Sequence, residues 1–388
     1  MAKQKRENGS GTFTVKPNGM IEFRVMHEGQ RKSFSGKNET ECKRKYREWA
    51  KEIAQNEVKQ KQSLSNITVL EYIQRWAKVF KFGKIKDSTY DRLENTIKHQ
   101  IAPYSIANMK LSSLTDEIVQ NFIDEQSLLY SRSTVKKIYE VFNPTLHRAF
   151  NEGLIPSNVM DNVSVPNEEF FVAHPKKEIE IYTDKEIETL TKAVYEYYFI
   201  NSRRYRYAPA FILILNTGIR FGEMLALKWN CVNFEKKTIF IAETSSYVQN
   251  RNRFNSSNRK VSVTTTTKNR QTRYVPLNET ALNALKELKQ RQESQDIISE
   301  YVISNLDGKM LQGRSVQDVF ENICDEIGIS HKGIHALRHT FASKLIRKKV
   351  DIGIISELLG HSSVKITYDT YIHFIKEQKV EAIKAIEI

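Results

Sequence analysis

Apolar and polar positions along the chain fall into three regimes. Near the start they alternate. Three short runs, Thr12 to Lys16, Met20 to Met26 and Gln30 to Phe34, are separated by Pro17-Asn18-Gly19 and by Glu28-Gly29, both suited to hairpin turns. In the middle run Ile21, Phe23 and Val25 share one face while Glu22 and Arg24 share the other. The period then turns helical, with Asn38 and Glu41 in capping-box spacing and Tyr46, Trp49, Ala50 and Ile53 on one stripe. Residues Gln55 to Ser65, polar and rich in Gln and Lys, carry no stripe and read as a linker.

From Val69 onward the period stays helical: Val69, Leu70, Ile73, Trp76 and Phe80; Leu93, Ile97 and Ile101; Ile118, Phe122 and Ile123; Val135, Ile138, Phe142 and Phe150. Thr68, Ser88, Thr115 and Ser133 sit near the starts, where a cap is wanted. After a stretch of mixed charge containing Pro166 and Pro175, Thr183 and Glu186 form another capping box, and an apolar helix follows at about 207–215. Short β runs at Thr238 to Ala242, Lys260 to Thr266 and Arg273 to Pro276 then give way to helices. The expected fold class is multidomain, mainly α with small β elements. A three-stranded sheet backed by a helix occupies 1–62 and an all-α bundle 63–166; a linker covers 167–182 and a mixed α+β domain 183–388.

Composition adds a partner to this outline. At 388 residues the chain exceeds one ordinary core. Hydrophobic residues at 40% and charged residues at 27% describe a globular protein, and exclude a disordered one. The net charge of +14 points to a polyanion. Residues 1–62 hold fifteen Lys or Arg against eight Asp or Glu, a net +7 and so half of the total. Arg24, Arg31 and Lys32 could bring the polar sheet face into a DNA groove. In the bundle, Lys136 and Lys137 join Lys84, Lys86, Arg92 and Arg132 as basic positions; individually such residues are ordinary solvated charges. Cys42, Cys231 and Cys324 are far apart, which implies a reducing compartment and no zinc ribbon. The first residues have no apolar signal core, and no run reaches the ~18 apolar residues of a membrane span. The expectation is a cytoplasmic protein, with no membrane partner, whose polyanion is nucleic acid.

The carboxy-terminal half holds residues suited to a phosphate. In NTGIRFGEMLALKW, Thr217-Gly218 breaks a helix and Arg220 lies in the first turn of the next, where backbone N–H groups also favour an anion. Lys268-Asn269-Arg270-Gln271 is a turn that presents an ammonium group, with Lys260, Arg259 and Arg270 as competitors. The Asn-, Ser- and Arg-rich insert from Tyr247 to Arg259 reads as a loop near DNA. His335 and Arg338 are one helical turn apart, His361 sits in a Leu-Gly-His-Ser turn, and Tyr371 follows ten residues later with Tyr368 as a rival. Two planar guanidinium forks could hold both non-bridging oxygens of a phosphate. A tyrosine of ordinary pKa about 10 needs a positive field or a base to attack, and His335 is the plausible base. His335 and His339 are spaced like a zincin helix, but Ala336 replaces the glutamate and no third ligand is supplied, so no metal is expected and His339 reads as structural. The last stretch carries Val380, Ile383 and Ile386 on a stripe too short to fold alone.

These boxes resemble the tyrosine recombinase (phage integrase) family: TGxRxxE followed by LxW, a lysine ahead of the RYVPL strand, HxxR, LGHS, and a tyrosine in Thr-Tyr-x-His. The likeness covers nearly the whole chain, which looks like an integrase of the kind carried by phages and conjugative transposons of Gram-positive bacteria. It implies an amino-terminal arm-binding domain and a SAM-like core-binding bundle closed by GLIPSNVMDNV (153–163), followed by the catalytic domain. It also implies Arg220, Lys268, His335, Arg338 and His361 as catalytic groups around the nucleophile Tyr371, with Glu223 supporting Arg220 and Lys268 as the general acid. The implied reaction is cleavage and rejoining of DNA through a 3′-phosphotyrosyl link, without cofactor or metal, and no GxxxxGK loop is present. The implied partners are double-stranded DNA at core and arm sites and a homotetramer on two duplexes, in a bacterial nucleoid. An excision factor and a DNA-bending protein are candidate accessories. A type IB-like topoisomerase and a DNA-binding regulator without catalysis remain as alternatives.

Overall fold

The computed structural model describes residues 11–27, 30–171, 173–174, 178–200, 205–251, 260–266 and 272–384. They fall into two compact units, one of 1–84 with 93–175 and one of 85–92 with 176–388.

The first unit opens on an antiparallel sheet of β1 (Thr12–Val15), β2 (Ile21–His27) and β3 (Gln30–Gly36) in sequential order. Alternation determines the register's effect: Phe23 lies opposite Phe13 on one side and Phe34 on the other. Phe23 and Val25 are buried with Cys42 from helix α1 (Glu39–Ser65), and Tyr46 packs beside them. On the opposite face Glu22 accepts from Arg24 Nε at 2.7 Å and pairs with Lys16 at 3.2 Å, whereas Arg31 and Lys32 are exposed. Helix α1 begins as its spacing predicts, Asn38 Oδ1 accepting the Glu41 amide at 2.8 Å. It does not stop at the expected linker: 55–65 is the continuation of α1. Gln, Lys and Glu are strong helix formers even without an apolar stripe, so an established helix propagates through them.

In the same unit, α2 (Val69–Trp76), α4 (Asp116–Leu129) and α5 (Arg132–Asn151) surround a core that includes Val69, Ile73, Ile101, Ile123, Val135, Ile138 and Phe142. Leu93 to Thr96, the end of α3 (Asp87–Thr96), lead into this core at Ile97. Caps decide the boundaries. Thr68 makes a full capping box with Glu71 and Thr115 Oγ1 accepts the Ile118 amide at 3.2 Å, while α5 starts after Ser131, two residues ahead of Ser133. Phe150 departs from the expected stripe and is exposed. Lys136 is exposed on α5, with Lys137 half-buried next to it.

The second unit is built on α7 (Pro209–Thr217), whose residues Ala210 to Leu215 are all buried. A short helix apolar all round needs neighbours on every side. α6 (Asp184–Ile200), α9 (Glu279–Ser294), α10 (Gly313–Glu326) and α11 (Ile334–Arg347) supply part of them. A small antiparallel sheet, β4 (Val232–Asn233), β5 (Thr238–Ile241) and β8 (Arg273–Pro276), adds Ile239, Ile241 and Val275 to that core. A separate hairpin pairs β6 (Glu243–Gln249) with β7 (Lys260–Thr266). Its first strand takes in Tyr247 to Gln249, which the sequence assigns to a loop; the remaining insert, 252–259, lies outside the described residues. Ser- and Thr-rich strands that are half-buried on both sides lack the alternation that would reveal them. α8 (Phe221–Ala226), α12 (Ile352–Leu359) and α13 (Val364–Lys384) complete the unit. Among the described residues, no helix is long and apolar enough to cross a membrane.

Thr68→Ala removes the side-chain half of the α2 capping box, the hydroxyl that accepts the Glu71 amide, while the backbone N–H of residue 68 still donates to Glu71. It is expected to lower the stability of the helical bundle by about 1 kcal/mol, read as faster native-state hydrogen exchange of α2 amides and a lower denaturation midpoint. Unchanged exchange would show that the cap contributes nothing there.

Candidate active site

The geometry starts from the end of α12. The sequence Leu358-Leu359-Gly360-His361 forms a Schellman turn: Gly360 takes φ 64° and ψ 46°, its N–H donates to Glu357 O at 2.9 Å, and His361 N–H donates to Ser356 O at 3.0 Å. Those bonds use the carbonyls of 356 and 357. The next three carbonyls each accept from a different arginine: Leu358 O from Arg273 Nε at 2.9 Å, Leu359 O from Arg338 Nη2 at 2.8 Å, and Gly360 O from Arg220 Nη2 at 2.7 Å. The last three carbonyls at the negative end of this helix are therefore capped by cations.

Arg220 reaches the turn from the N-cap of α8, with backbone φ −72° and ψ 149°. Its backbone N–H donates to Glu223 Oε2 at 2.8 Å and its Nη1 to Oε1 at 2.9 Å. Glu223 is 2% exposed and also receives a two-pronged bond from Arg273, at 3.1 and 2.7 Å. Burial alone would raise this carboxyl, but Arg273 first and then Arg220 hold it below its ordinary value. Arg338 comes from α11 and is 5% exposed, its Nη1 donating to Gly218 O at 2.6 Å. Gly218 ends α7 at φ 65°, a conformation that glycine adopts without strain. Burial, then the like charge of Arg220, pulls the Arg338 guanidinium down to about 9, still well above neutrality, so it remains a cation.

The histidines divide into three situations. His335, at the start of α11, is exposed; its surroundings and the charges of Arg338 and Arg220 keep it below the ordinary imidazole value. His361 Nε2 lies 3.0 Å from Arg338 Nη2 and its Nδ1 lies 2.7 Å from the hydroxyl of Thr367. Because the guanidinium can only donate, Nε2 is the acceptor and the proton sits on Nδ1. His339 Nδ1 lies 2.9 Å from the Tyr371 hydroxyl. Burial first and Arg338 second push both His361 and His339 down to about 4, so both rings are neutral at physiological pH.

Tyr371 is 1% exposed, packed with Ala342, Ile346, Ile355 and Leu359. It interrupts α13 at φ −113° and ψ 19°, a break that turns its side chain into this small core. Tyr368, on the same helix, is 39% exposed. The expected positive field is present, since Arg338 lowers the Tyr371 value, but burial outweighs it and the hydroxyl is pushed up to about 12. The field alone does not ionise the phenol.

The structure thus brings Arg220, Glu223, Arg338, His361 and Tyr371 into one cluster, with His335 at the exposed start of α11. Lys268 lies outside the described residues, as do the competitors Arg259 and Arg270; Lys260 is exposed on β7, with its ammonium 5.6 Å from the Tyr247 ring. Among the described residues no three His, Cys, Asp or Glu are grouped to hold a metal. Sequence reasoning missed Arg273, and it assigned His339 a structural place although the ring touches the tyrosine hydroxyl. The only local signal for His339 was its i, i+4 relation to His335, which puts both on one side of α11.

Comparison with known proteins identifies the family of the chain. A model described as the phage integrase family matches 180–378, and one described as the phage integrase N-terminal SAM-like domain matches 68–127. The chain is 26% identical over 372 residues to a tyrosine recombinase XerC-like protein of Caldanaerobacter subterraneus subsp. tengcongensis, covering 92% of this chain and 91% of that one. It is 25% identical over 346 residues to the integrase of Staphylococcus phage L54a, covering 83% and 95%. In fold it is similar to the Tn1549 transposon integrase in complex with a circular intermediate DNA, with a TM-score of 0.63 at 16% identity, covering 79% of this chain and 95% of that one. It is also similar to a lambda integrase tetramer bound to a Holliday junction, with a TM-score of 0.55 at 17% identity, covering 93% and 97%.

The two depressed imidazoles make stability depend on pH. Between about 4 and the ordinary imidazole value of about 6.5 the unfolded chain binds protons at His339 and His361 that the folded chain does not, so stability must fall as pH falls through that window. Chemical denaturation between pH 7 and 5 should show this loss, with a shallower slope for His361→Gln. A fold that becomes more stable on acidification in this range would contradict the assignment of neutral rings.

Proposed function

Because the chain belongs to the phage integrase family, whose members are tyrosine recombinases acting in site-specific DNA recombination, we propose that the arginine cluster at the end of α12 holds the scissile phosphate of DNA and that Tyr371 attacks it. The observation that carries this reading is the shared anchorage of Arg220 and Arg338 on adjacent carbonyls, 359 and 360, with Tyr371 bonded to the same helix, α11, that carries Arg338.

In the proposed first step the Tyr371 oxygen bonds to phosphorus, the phosphorus to 5′-oxygen bond breaks, and a 3′-phosphotyrosyl link and a 5′ hydroxyl result. Arg220 and Arg338 bind the non-bridging oxygens and stabilise the additional negative charge of the five-coordinate state. The Tyr371 proton passes to a neutral imidazole. The 2.9 Å contact supports His339 for this, and His335 is the alternative that the HxxR motif suggests. Lys268 gives a proton to the departing 5′ oxygen, a role that rests on the family resemblance. In the second step a 5′ hydroxyl of the partner strand attacks the phosphotyrosine and releases Tyr371. The tyrosyl ester conserves the phosphodiester energy, so no high-energy cofactor enters the balance.

We further assign 1–62 to arm-type DNA sites, 63–166 to the core site and 183–388 to catalysis, with 167–182 as the connection. The exposed Arg31 and Lys32, with Arg24, and the basic Lys136 and Lys137 support DNA contacts in the first two modules. The cooperating species is a homotetramer on two duplexes in the bacterial cytoplasm, with an excision factor and a DNA-bending protein as candidate accessories.

Incubating the full chain with a nicked duplex bearing its site should trap a covalent protein–DNA adduct. Tyr371→Phe should abolish the adduct and Tyr368→Phe should retain it, while Arg220→Ala or Arg338→Ala should slow its formation by roughly 100- to 1,000-fold. Persistence of the adduct in Tyr371→Phe would move the nucleophile, and relaxation of any supercoiled plasmid without a specific site would favour a topoisomerase.

A further inference from the structure

Arg273 is the first residue of β8, paired across the sheet with Ile241, and its side chain is 9% exposed. A buried arginine must account for its donors. It does so by spanning two parts of the site: Nε on the Leu358 carbonyl, and Nη1 and Nη2 on the two oxygens of Glu223. The backbone turn lies directly on this guanidinium, since a Cβ built on Gly360 would stand 2.7 Å from Nη1.

Glu223 is the only carboxylate bonded to these guanidinium groups among the described contacts, and Arg220 and Arg273 share it. Without Arg273 a buried carboxylate would be left with Arg220 as its one counter-charge. It would then draw the Arg220 fork toward itself and away from any bound phosphate. With Arg273 in place, Arg220 gives Glu223 one side-chain bond and Gly360 another, and it keeps its other N–H groups and a side chain that is 33% exposed. Charge points the same way. Three guanidinium groups against one carboxylate leave a net +2, which matches the two negative charges of a five-coordinate phosphorus formed from a phosphodiester.

We infer that Arg273 is a positioning residue for phosphoryl transfer: by occupying Glu223 and fixing the Leu358–Gly360 turn, it holds Arg220 in the orientation that receives the scissile phosphate. The inference rests on the proposed recombinase reading. It acts through the phosphate clamp and not through the general acid.

The test uses the full chain, saturating amounts of the nicked site-containing duplex, and single-turnover adduct formation. Arg273→Gln is expected to lower the cleavage rate by roughly 10- to 100-fold, the range typical of residues that orient a reacting group, with DNA affinity close to wild type and a lower unfolding temperature that still leaves the chain folded at the assay temperature. The double variant Arg273→Gln with Glu223→Gln should be no slower than the slower single variant, because both act on Arg220. A 5′-bridging phosphorothiolate, whose thiolate leaves without a proton, should restore cleavage to Lys268→Ala but not to Arg273→Gln. If Arg273→Gln fails to fold, Arg273→Lys serves in its place; the lysine keeps the charge but cannot hold Glu223 and Leu358 together, and the same loss is expected. Wild-type cleavage by the variants, a double variant slowed by the product of the single effects, or full rescue by the phosphorothiolate would overturn the inference. Absence of any adduct with the wild-type chain would overturn the recombinase reading, and this inference with it.

Discussion

The arrangement of the second unit depends on one constraint: a helix that ends inside protein must find partners for its last carbonyls. At the end of α12 the turn itself satisfies two, and Arg273, Arg338 and Arg220 satisfy the three that follow. These arginines come from a strand, the middle of one helix and the cap of another, so a local backbone requirement gathers residues from widely separated parts of the sequence. Like charges at such proximity repel strongly in a medium less polar than water. The helix-end carbonyls and Glu223 offset that repulsion, and they leave a surplus of positive charge where an anion can bind.

A second consequence concerns Tyr371, the proposed nucleophile. The same cationic cluster that should favour a tyrosinate lies beside a core that disfavours any charge on it, and for Tyr371 the core prevails. Burial and the bond to neutral His339 keep the group as a phenol in this structure. The protein therefore holds the Tyr371 oxygen, the proposed attacking atom, next to an acceptor for its proton without ionising it in advance.

Much of this was legible in the sequence where the signal is local. Thr183 with Glu186, Thr217-Gly218-Ile219-Arg220 and Leu359-Gly360-His361 each state a turn or a cap within four residues, and each forms as its spacing implies. Arg273 was not legible, because its significance lies in Glu223 and Leu358, 50 and 85 positions away. His339 was read as structural because its helix position shows which side it faces but not that a kink in α13 delivers Tyr371 to it. The linker expected at 55–65 failed for a different reason: apolar periodicity detects packing, whereas α1 continues through residues whose own helix propensity is high. The division into modules at 62, 166 and 182 stays a reading of composition, and the two compact units meet in sequence at 175/176.

The anchoring of the arginines on main-chain carbonyls also bears on how the site can change over generations. Carbonyls belong to every residue, so replacing the side chains of Leu358 or Leu359 does not delete the groups the arginines read. Loss or gain of one residue within α12 would rotate its end by about 100° and point all three carbonyls elsewhere at once. Packing of Leu359 and the positive φ of Gly360 still constrain those two letters, yet the length of this segment is the stricter constraint, because it alone sets the direction of all three carbonyls.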